Sequence, residues 1–364
     1  MLDFTSSLYL GLKHPHSSLR PWKMISTGAP AALRIPALNR TVAAKLALLF
    51  GCESAILASS TLHLFWDLFT IFKEKHIAIY LDAGTYPIAR WGVERAAAKG
   101  VPIRLFLHYD PNSLAKKLIY GGLQGFRPII IADGFCPGCG RPAPVGDYLK
   151  IARRNGGHLV LDDTQALGIL GSAPDADVPC GRGGGGILRW SGISGPEIIL
   201  ASSMAKGFGV PIAVLSGSYD IIRRYRQKSE TRIYCSPPSI AFTHAAEHAL
   251  EMNSKNGDVI RYRLSKLIKR FRKNLKEAKL TTTSLFFPIQ TLKCIQDLNA
   301  MTIYDELFQR DIHSVLHGST AAHGRRLSFL INAFHQPWQI DQATDALINI
   351  IQRETIKYRI GATL

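Results

Sequence analysis

Short apolar runs alternate with amphipathic stretches through the first two thirds of the chain. The runs are Ala55–Ala58, Ile77–Leu81, Ile103–Leu107, Pro128–Ala132, Leu159–Leu161, Ile198–Ala201 and Ile212–Leu215. Their length and their content of Ile, Val and Leu predict strands buried on both faces. Their alternation with helical stretches predicts an α/β domain around a mostly parallel sheet of seven strands. Residues 1–40 read as irregular, with prolines at 15, 21, 30 and 36. Thr41–Phe50 reads as a helix, with Thr41 as its N-cap and Gly51 after its end. From Ser239 the pattern changes to two long helices, 239–253 and 257–278. A break at Leu280–Ser284, a strand near Phe286–Gln290, short mixed elements and a helix near 340–354 follow. The expected organisation is an N-terminal segment (1–40), a large domain (41–255) and a small C-terminal α+β domain (256–364).

Two of the runs end in polar residues that matter chemically. His158-Leu-Val-Leu-Asp162 delivers an aspartate, and Glu197-Ile-Ile-Leu-Ala-Ser-Ser203-Met-Ala-Lys206 delivers a lysine just beyond its strand. In an open parallel sheet, ligands sit outside the carboxyl ends of the strands. A lysine and an aspartate brought to that edge suit pyridoxal 5′-phosphate. The amine binds the cofactor aldehyde and the carboxylate keeps the pyridine nitrogen protonated.

The chain has 364 residues, 46% hydrophobic and 20% charged, as expected of an ordinary globular protein. Its apolar runs are far too short to span a bilayer, so no membrane partner is expected. The first residues lack the basic and apolar regions of a signal peptide. The six cysteines (52, 136, 139, 180, 235 and 294) are scattered, against a disulfide framework. The expected location is the cytoplasm.

The net charge of +17 draws partly on Arg261–Lys273, where basic residues alternate with apolar ones. This fits the solvated side of an amphipathic helix better than a nucleic-acid surface. Gly181-Arg-Gly-Gly-Gly-Gly186 has no Lys-Ser/Thr sequel, so it reads as a surface connection and not a phosphate loop. Cys136-Pro-Gly-Cys139 has no second ligand pair in the sequence and reads as a turn, with no metal expected. His63 reads as a packed or capping residue.

Seven segments, in order, resemble motifs of the α-oxoamine synthases, fold-type I pyridoxal phosphate enzymes of the aminotransferase class I/II superfamily. Phe4-Thr-Ser-Ser-Leu-Tyr-Leu-Gly-Leu12 is similar to their opening F-S-S-N-D-Y-L-G-L. Ala55-Ile-Leu-Ala-Ser-Ser60-Thr-Leu62 resembles A-L-L-F-x-S-G-Y. Asp133-Gly-Phe135 with Pro142-Ala-Pro144, Asp162-Asp-Thr-Gln165, and Ser203-Met-Ala-Lys206-Gly-Phe-Gly209 follow. Pro288-Ile-Gln290 and Arg326-Leu327 with Ala333-Phe-His335 close the series.

The resemblance implies Lys206 as the cofactor lysine and proton carrier, Asp162 as partner of the ring nitrogen and Tyr86 as the stacking ring. It implies that Ser60 and the amides of Thr61 and Leu62 hold the phosphate, with Ser203 adding a hydroxyl. Ser236 would reach the phosphate of a neighbouring subunit, which makes the enzyme a homodimer. Asp133 and Gln165 would also touch the cofactor, and Arg326 and Ser7 the substrate.

Four departures stand out. Tyr86 replaces a histidine, Gln165 replaces another, Pro137–Gly140 replaces Ser-Met-Asp-Gly, and Ser328 replaces a second arginine. The chain also starts at the opening motif, without the helical extension common in that family. The implied reaction is decarboxylative condensation of an amino acid with an acyl thioester on coenzyme A or a carrier protein. An aminotransferase on the same scaffold is the first alternative. A non-catalytic protein binding nucleic acid or another acidic partner through 261–273 is the second.

Overall fold

The computed structural model describes residues 1–72, 76–284, 286–293, 299–318 and 325–361, the last five of these by backbone only. The seven expected strands form one sheet. Across it they run Ser54–Ala58, Ala213–Gly217, Ile198–Ser203, His158–Asp162, Arg127–Asp133, Ile77–Asp82 and Ile103–Phe106. Ala213–Gly217 is antiparallel to both neighbours, and the other contacts from Ile198–Ser203 outward are parallel.

Alternate residues of each strand enter separate cores on the two faces. Ile130, Ala132, Leu159 and Leu161 pack on one side with helix Ala37–Phe50. Ile129, Ile131, Val160 and Ile199 pack on the other with helices Thr61–Leu68 and Pro87–Ala98. This two-sided burial explains why the runs read as continuously apolar. The Ile103–Phe106 strand is the exception. It lies at the sheet edge, and Leu105 and Leu107 are 54% and 65% exposed, so this run is not buried on both faces.

Two helical expectations are corrected. Helix Ala37–Phe50 begins after Pro36, four residues ahead of Thr41, whose hydroxyl bonds back to the Ala37 carbonyl inside the helix. Pro36 supplies the start instead, and Gly51 ends the helix as expected at φ 80°. The two long helices are one, Ile240–Glu277. Gly257 permits the continuity, because a Cβ there would lie 2.5 Å from Asn253 Oδ1 and 2.7 Å from Arg261 Nη2. The expected domain boundary at 255 therefore lies inside a helix.

Nor is Arg261–Lys273 a free basic face. Buried Arg261 bonds the Gly168 carbonyl, Asn253 and Asp258, Arg270 pairs with Asp341, and Arg272 bonds Thr282 and Ser284. The arginines tie this helix to its neighbours, while Lys266, Lys269 and Lys273 remain exposed. The glycine stretch 181–186 is likewise built in. Gly184, Gly185 and Gly186 are buried, and a Cβ on Gly186 (φ 83°) would sit 1.9 Å from Asp163 Oδ2.

The C-terminal region carries a three-stranded antiparallel sheet in the order Ile289–Thr291, Arg326–Leu330, Val315–His317, flanked by helices Ala300–Gln309 and Pro337–Gly361. The N-terminal segment is threaded through it. Leu2–Asp3 pairs with Ile312–His313, Leu330 N donates to the Phe4 carbonyl, and Phe4 stacks on His335 with ring centroids 4.4 Å apart. Cysteines 52, 136, 139, 180 and 235 are free, and Cys294 lies outside the described residues. Among the described residues no helix is long and apolar enough to cross a membrane.

Candidate active site

Four adjacent strands end in Ser203, Asp162, Asp133 and Asp82 on one edge of the sheet. Asp133 and Asp162 are register partners, so their carboxylates stand side by side. Beyond this edge lies a cavity of about 450 Å³ lined by Thr61, Tyr86, Asp133, Asp162, Gln165, Ser203 and Lys206, among others. Seven of the twelve residues expected at the site thus share one wall.

Lys206 is aimed by the loop that carries it. Met204 and Phe208 on either side are fully buried, and Met204 N donates to the Ile212 carbonyl at 2.8 Å. Gly207 follows without room for a side chain, since a Cβ would lie 2.4 Å from the Leu167 carbonyl oxygen. The lysine Nζ lies 5.9 Å from the centroid of the Tyr86 ring. Burial lowers its pKa, against the raising effect of Asp162 and Asp133.

The two carboxylates show the complementary strain. Burial raises the pKa of Asp162, opposed by hydrogen bonds from Thr164 and by Lys206. Burial and the charge of Asp162 push Asp133 up to about 8, opposed by its 3.1 Å bond from Tyr86 N. Two acids whose charged forms burial disfavours stand beside one half-buried amine, and Asp162 gains its charge back only with a cationic partner. A protonated pyridine nitrogen meets that need, so the donor set fits pyridoxal phosphate.

Tyr86 caps helix Pro87–Ala98, with Pro87 in the first turn, and its ring is 54% exposed on the cavity wall. Gln165 is held by Tyr9, whose fully buried hydroxyl donates to Gln165 Oε1 at 2.7 Å. Thr164, which sequence reading passed over, accepts Ser203 N at 3.0 Å and so joins the two central strands at the cavity.

Ser60 caps helix Thr61–Leu68, with its hydroxyl 2.8 Å from His63 Nδ1. His63, expected as a packed or capping residue, is not itself the cap: it lies in the first turn and bonds the capping serine. The first amides of this helix have no partner within the helix, and Thr61 stands on the cavity wall. Leu62 is exposed in the same first turn.

The remaining residues lie off the wall. Arg326 opens its strand and donates to the Gly138 carbonyl at 3.2 Å, while its buried Nε–H has no partner. Ser328 is buried in bonds to Thr291 and His317 and is turned to structure. Ser7 is half-buried in the N-terminal segment, and Ser236 is exposed on this single chain. A second hollow of about 520 Å³ is walled by Trp66, Phe72, Arg95 and Glu230, but Arg95 there is already paired with Glu230 and stacked on Trp66.

The fold and this strand-edge site define a fold-type I pyridoxal-phosphate-dependent transferase. The chain belongs to the aminotransferase class I and II family, whose model matches residues 33–347.

Among its relatives is the 8-amino-7-oxononanoate synthase of Alkalilimnicola ehrlichii, 28% identical over 262 residues. That match takes in 71% of this chain and 64% of the relative, so the chain spans under two thirds of that relative's length. The enzyme of the same name from Pseudomonas paraeruginosa is 27% identical over 347 residues, 94% of this chain and 76% of its own. Among solved structures, Sphingomonas wittichii serine palmitoyltransferase superposes with a TM-score of 0.80 at 16% identity, covering 96% of this chain and 87% of the other.

Proposed function

We propose that the protein catalyses decarboxylative condensation of an amino acid with an acyl thioester, the α-oxoamine synthase reaction. The observation that carries the reading is the convergence of Lys206, Asp162 and Tyr86 on one cavity, with a helix N-terminus at its wall. The names of the relatives favour condensation over transamination.

Bound in the cavity, pyridoxal phosphate supplies an electron sink for charge developing at the amino acid's α-carbon. The chain's own residues do the rest. Asp162 would accept a hydrogen bond from the ring nitrogen and so keep that nitrogen protonated. Tyr86, on the cavity wall, would stack on the cofactor ring. Ser60, Ser203 and the amides of Thr61 and Leu62 receive the phosphate, where the helix dipole favours an anion. Gln165, oriented by Tyr9, donates its amide hydrogens to the cofactor's edge. Lys206 would hold the cofactor and would carry the substrate's α-proton on Nζ, and burial lowers the pKa of that amine. Arg326 grips the substrate carboxylate, with Ser7 beside the substrate.

A homodimer is part of the proposal, because exposed Ser236 is then free to complete the partner's phosphate site. Cytoplasmic location is the matching assignment, supported by five free cysteines.

The test is the absorption spectrum of purified protein and of Lys206→Ala, before and after single amino acids and an acyl-CoA. A cofactor band lost in the variant, with turnover only when amino acid and acyl-CoA are both present, is expected. Conversion of the cofactor to its amine form by an amino acid alone would instead make it an aminotransferase. No cofactor binding, with salt-sensitive binding to nonspecific DNA, would return function to the exposed lysines of the long helix.

A further inference from the structure

The loop beside the cavity carries groups that this reaction does not use. Cys136 Sγ, Cys139 Sγ and a ring nitrogen of His108 all lie within 4.8 Å of one another, each on a half-buried residue. His108 reaches the loop from beyond the edge strand Ile103–Phe106. Its Nδ1 lies 2.6 Å from Asp82 Oδ1. An ionised carboxylate only accepts, so Nδ1 carries a hydrogen and donates it, and Nε2 faces the sulfurs, 3.4 Å from Cys139 Sγ. Asp82 is itself held by Gly84 N, Tyr109 N and the Tyr148 hydroxyl, which sets the imidazole's orientation in advance.

The loop's backbone supports the same arrangement. Cys139 N donates to Cys136 Sγ at 3.3 Å, and Gly140 N donates to the Cys136 carbonyl at 2.9 Å. Gly140 closes the turn at φ 70°, where a Cβ would lie 2.8 Å from the backbone of Ser284. Two sulfurs and one imidazole nitrogen are three ligands of a tetrahedral thiolate–imidazole site. Bonds of roughly 2.3 Å to sulfur and 2.0 Å to nitrogen place those ligand atoms roughly 3.6 Å apart, close to the sulfur–nitrogen distance seen. A carboxylate on the far imidazole nitrogen is the outer partner such a histidine ordinarily has.

We propose that Cys136, Cys139 and His108 form a binding site for a thiophilic divalent ion of the zinc class, with water in the fourth position. The soft sulfurs select against magnesium and calcium. Cys136 and Gly138 line the cavity, and Gly138 is the residue whose carbonyl receives Arg326. The ion therefore fastens the loop that ties the C-terminal sheet to the cavity wall. This inference goes beyond the proposed reaction and does not depend on the cofactor.

The test is titration of the reduced, metal-stripped full-length protein with cobalt(II), reading the tetrahedral d–d bands at the red end of the visible, clear of the cofactor. One cobalt per chain, displaced by zinc, is expected. Cys136→Ser, Cys139→Ser and His108→Gln each weaken binding at least about tenfold, and Asp82→Asn by about 10- to 100-fold. Melting curves of the metal-free variants check that each remains folded. Binding in Lys206→Ala equals that of the unaltered chain, which separates this result from any failure of the cofactor reading. Three results overturn the proposal. They are no tetrahedral cobalt spectrum, one that survives in a folded Cys136→Ser, Cys139→Ser double variant, or a Cys136–Cys139 disulfide in protein purified under reductant.

Discussion

Asp162 and Asp82 end neighbouring parts of one row of strands, yet they live in opposite conditions. Asp82 is fully buried and takes hydrogen bonds from Gly84, Tyr109, Tyr148 and His108. Asp162 is also buried, but Thr164 N is the backbone donor bonded to it, and burial raises its pKa against the pull of Thr164 and Lys206. A carboxylate satisfied by its own chain positions other residues. A carboxylate left short of partners in a cavity is set up for something that arrives later. The same strand-end geometry therefore serves two purposes, and the count of donors tells them apart.

The comparison can be broken first at its functional end. Lys206→Ala is expected to abolish the cofactor band and lower turnover by about 10²- to 10⁴-fold, the range for loss of a positioned proton carrier. Asp162→Asn is expected to lower turnover on the order of 10²-fold, while the melting temperature of the cofactor-free protein holds or rises. Asp82→Asn should show the converse, a loss of about 1–3 kcal/mol in unfolding free energy from its orphaned donors. Equal destabilisation by both substitutions would collapse the distinction.

A pH series sharpens it. The ordinary pKa of an aspartate is 3.8 and that of folded Asp133 is about 8, so the folded chain holds a proton that the unfolded chain has released between these values. The contribution of this group is complete below about pH 4 and is lost as pH climbs towards about 8. Denaturant melts of the cofactor-free protein should therefore show stability falling across that window, and Asp133→Asn should flatten the fall. A rise with pH, or an unchanged slope in the variant, would count against the buried-pair description. The smallest effect belongs to Tyr9→Phe, which removes one bond to Gln165. It should cost about 0.5–1.5 kcal/mol and shift the cofactor's absorption without preventing its binding.

Much of this was legible in the chain itself. Strands buried on both faces announce themselves as unbroken Ile-Val-Leu runs, and six of the seven behave so. Lys206 and Asp162 were readable because each lies at or just past the end of such a run. The metal-site ligands were not. Cys136 and Cys139 are visible as a pair, but His108 joins them only through the packing of parallel strands, which no local pattern encodes. Tyr9 and Gln165 meet for the same reason. The sequence pattern predicts two helices, 239–253 and 257–278, where the structure has one, Ile240–Glu277, with the buried Arg261 guanidinium lying against Gly257. Thr41 was taken for a cap on composition, whereas Pro36 had already set the start.

The packing of residues 2–9 against the C-terminal region has a consequence for folding. Leu2–Asp3 finds its partner strand only at Ile312–His313. The two pairing segments are about 310 residues apart in the chain, so this contact closes only after the intervening chain is in place. Long-range closures of this kind are slow steps of folding. The two-residue ladder between Leu2–Asp3 and Ile312–His313 is thus a late clasp, and opening it releases the segment that carries Tyr9, and with it the hold on Gln165.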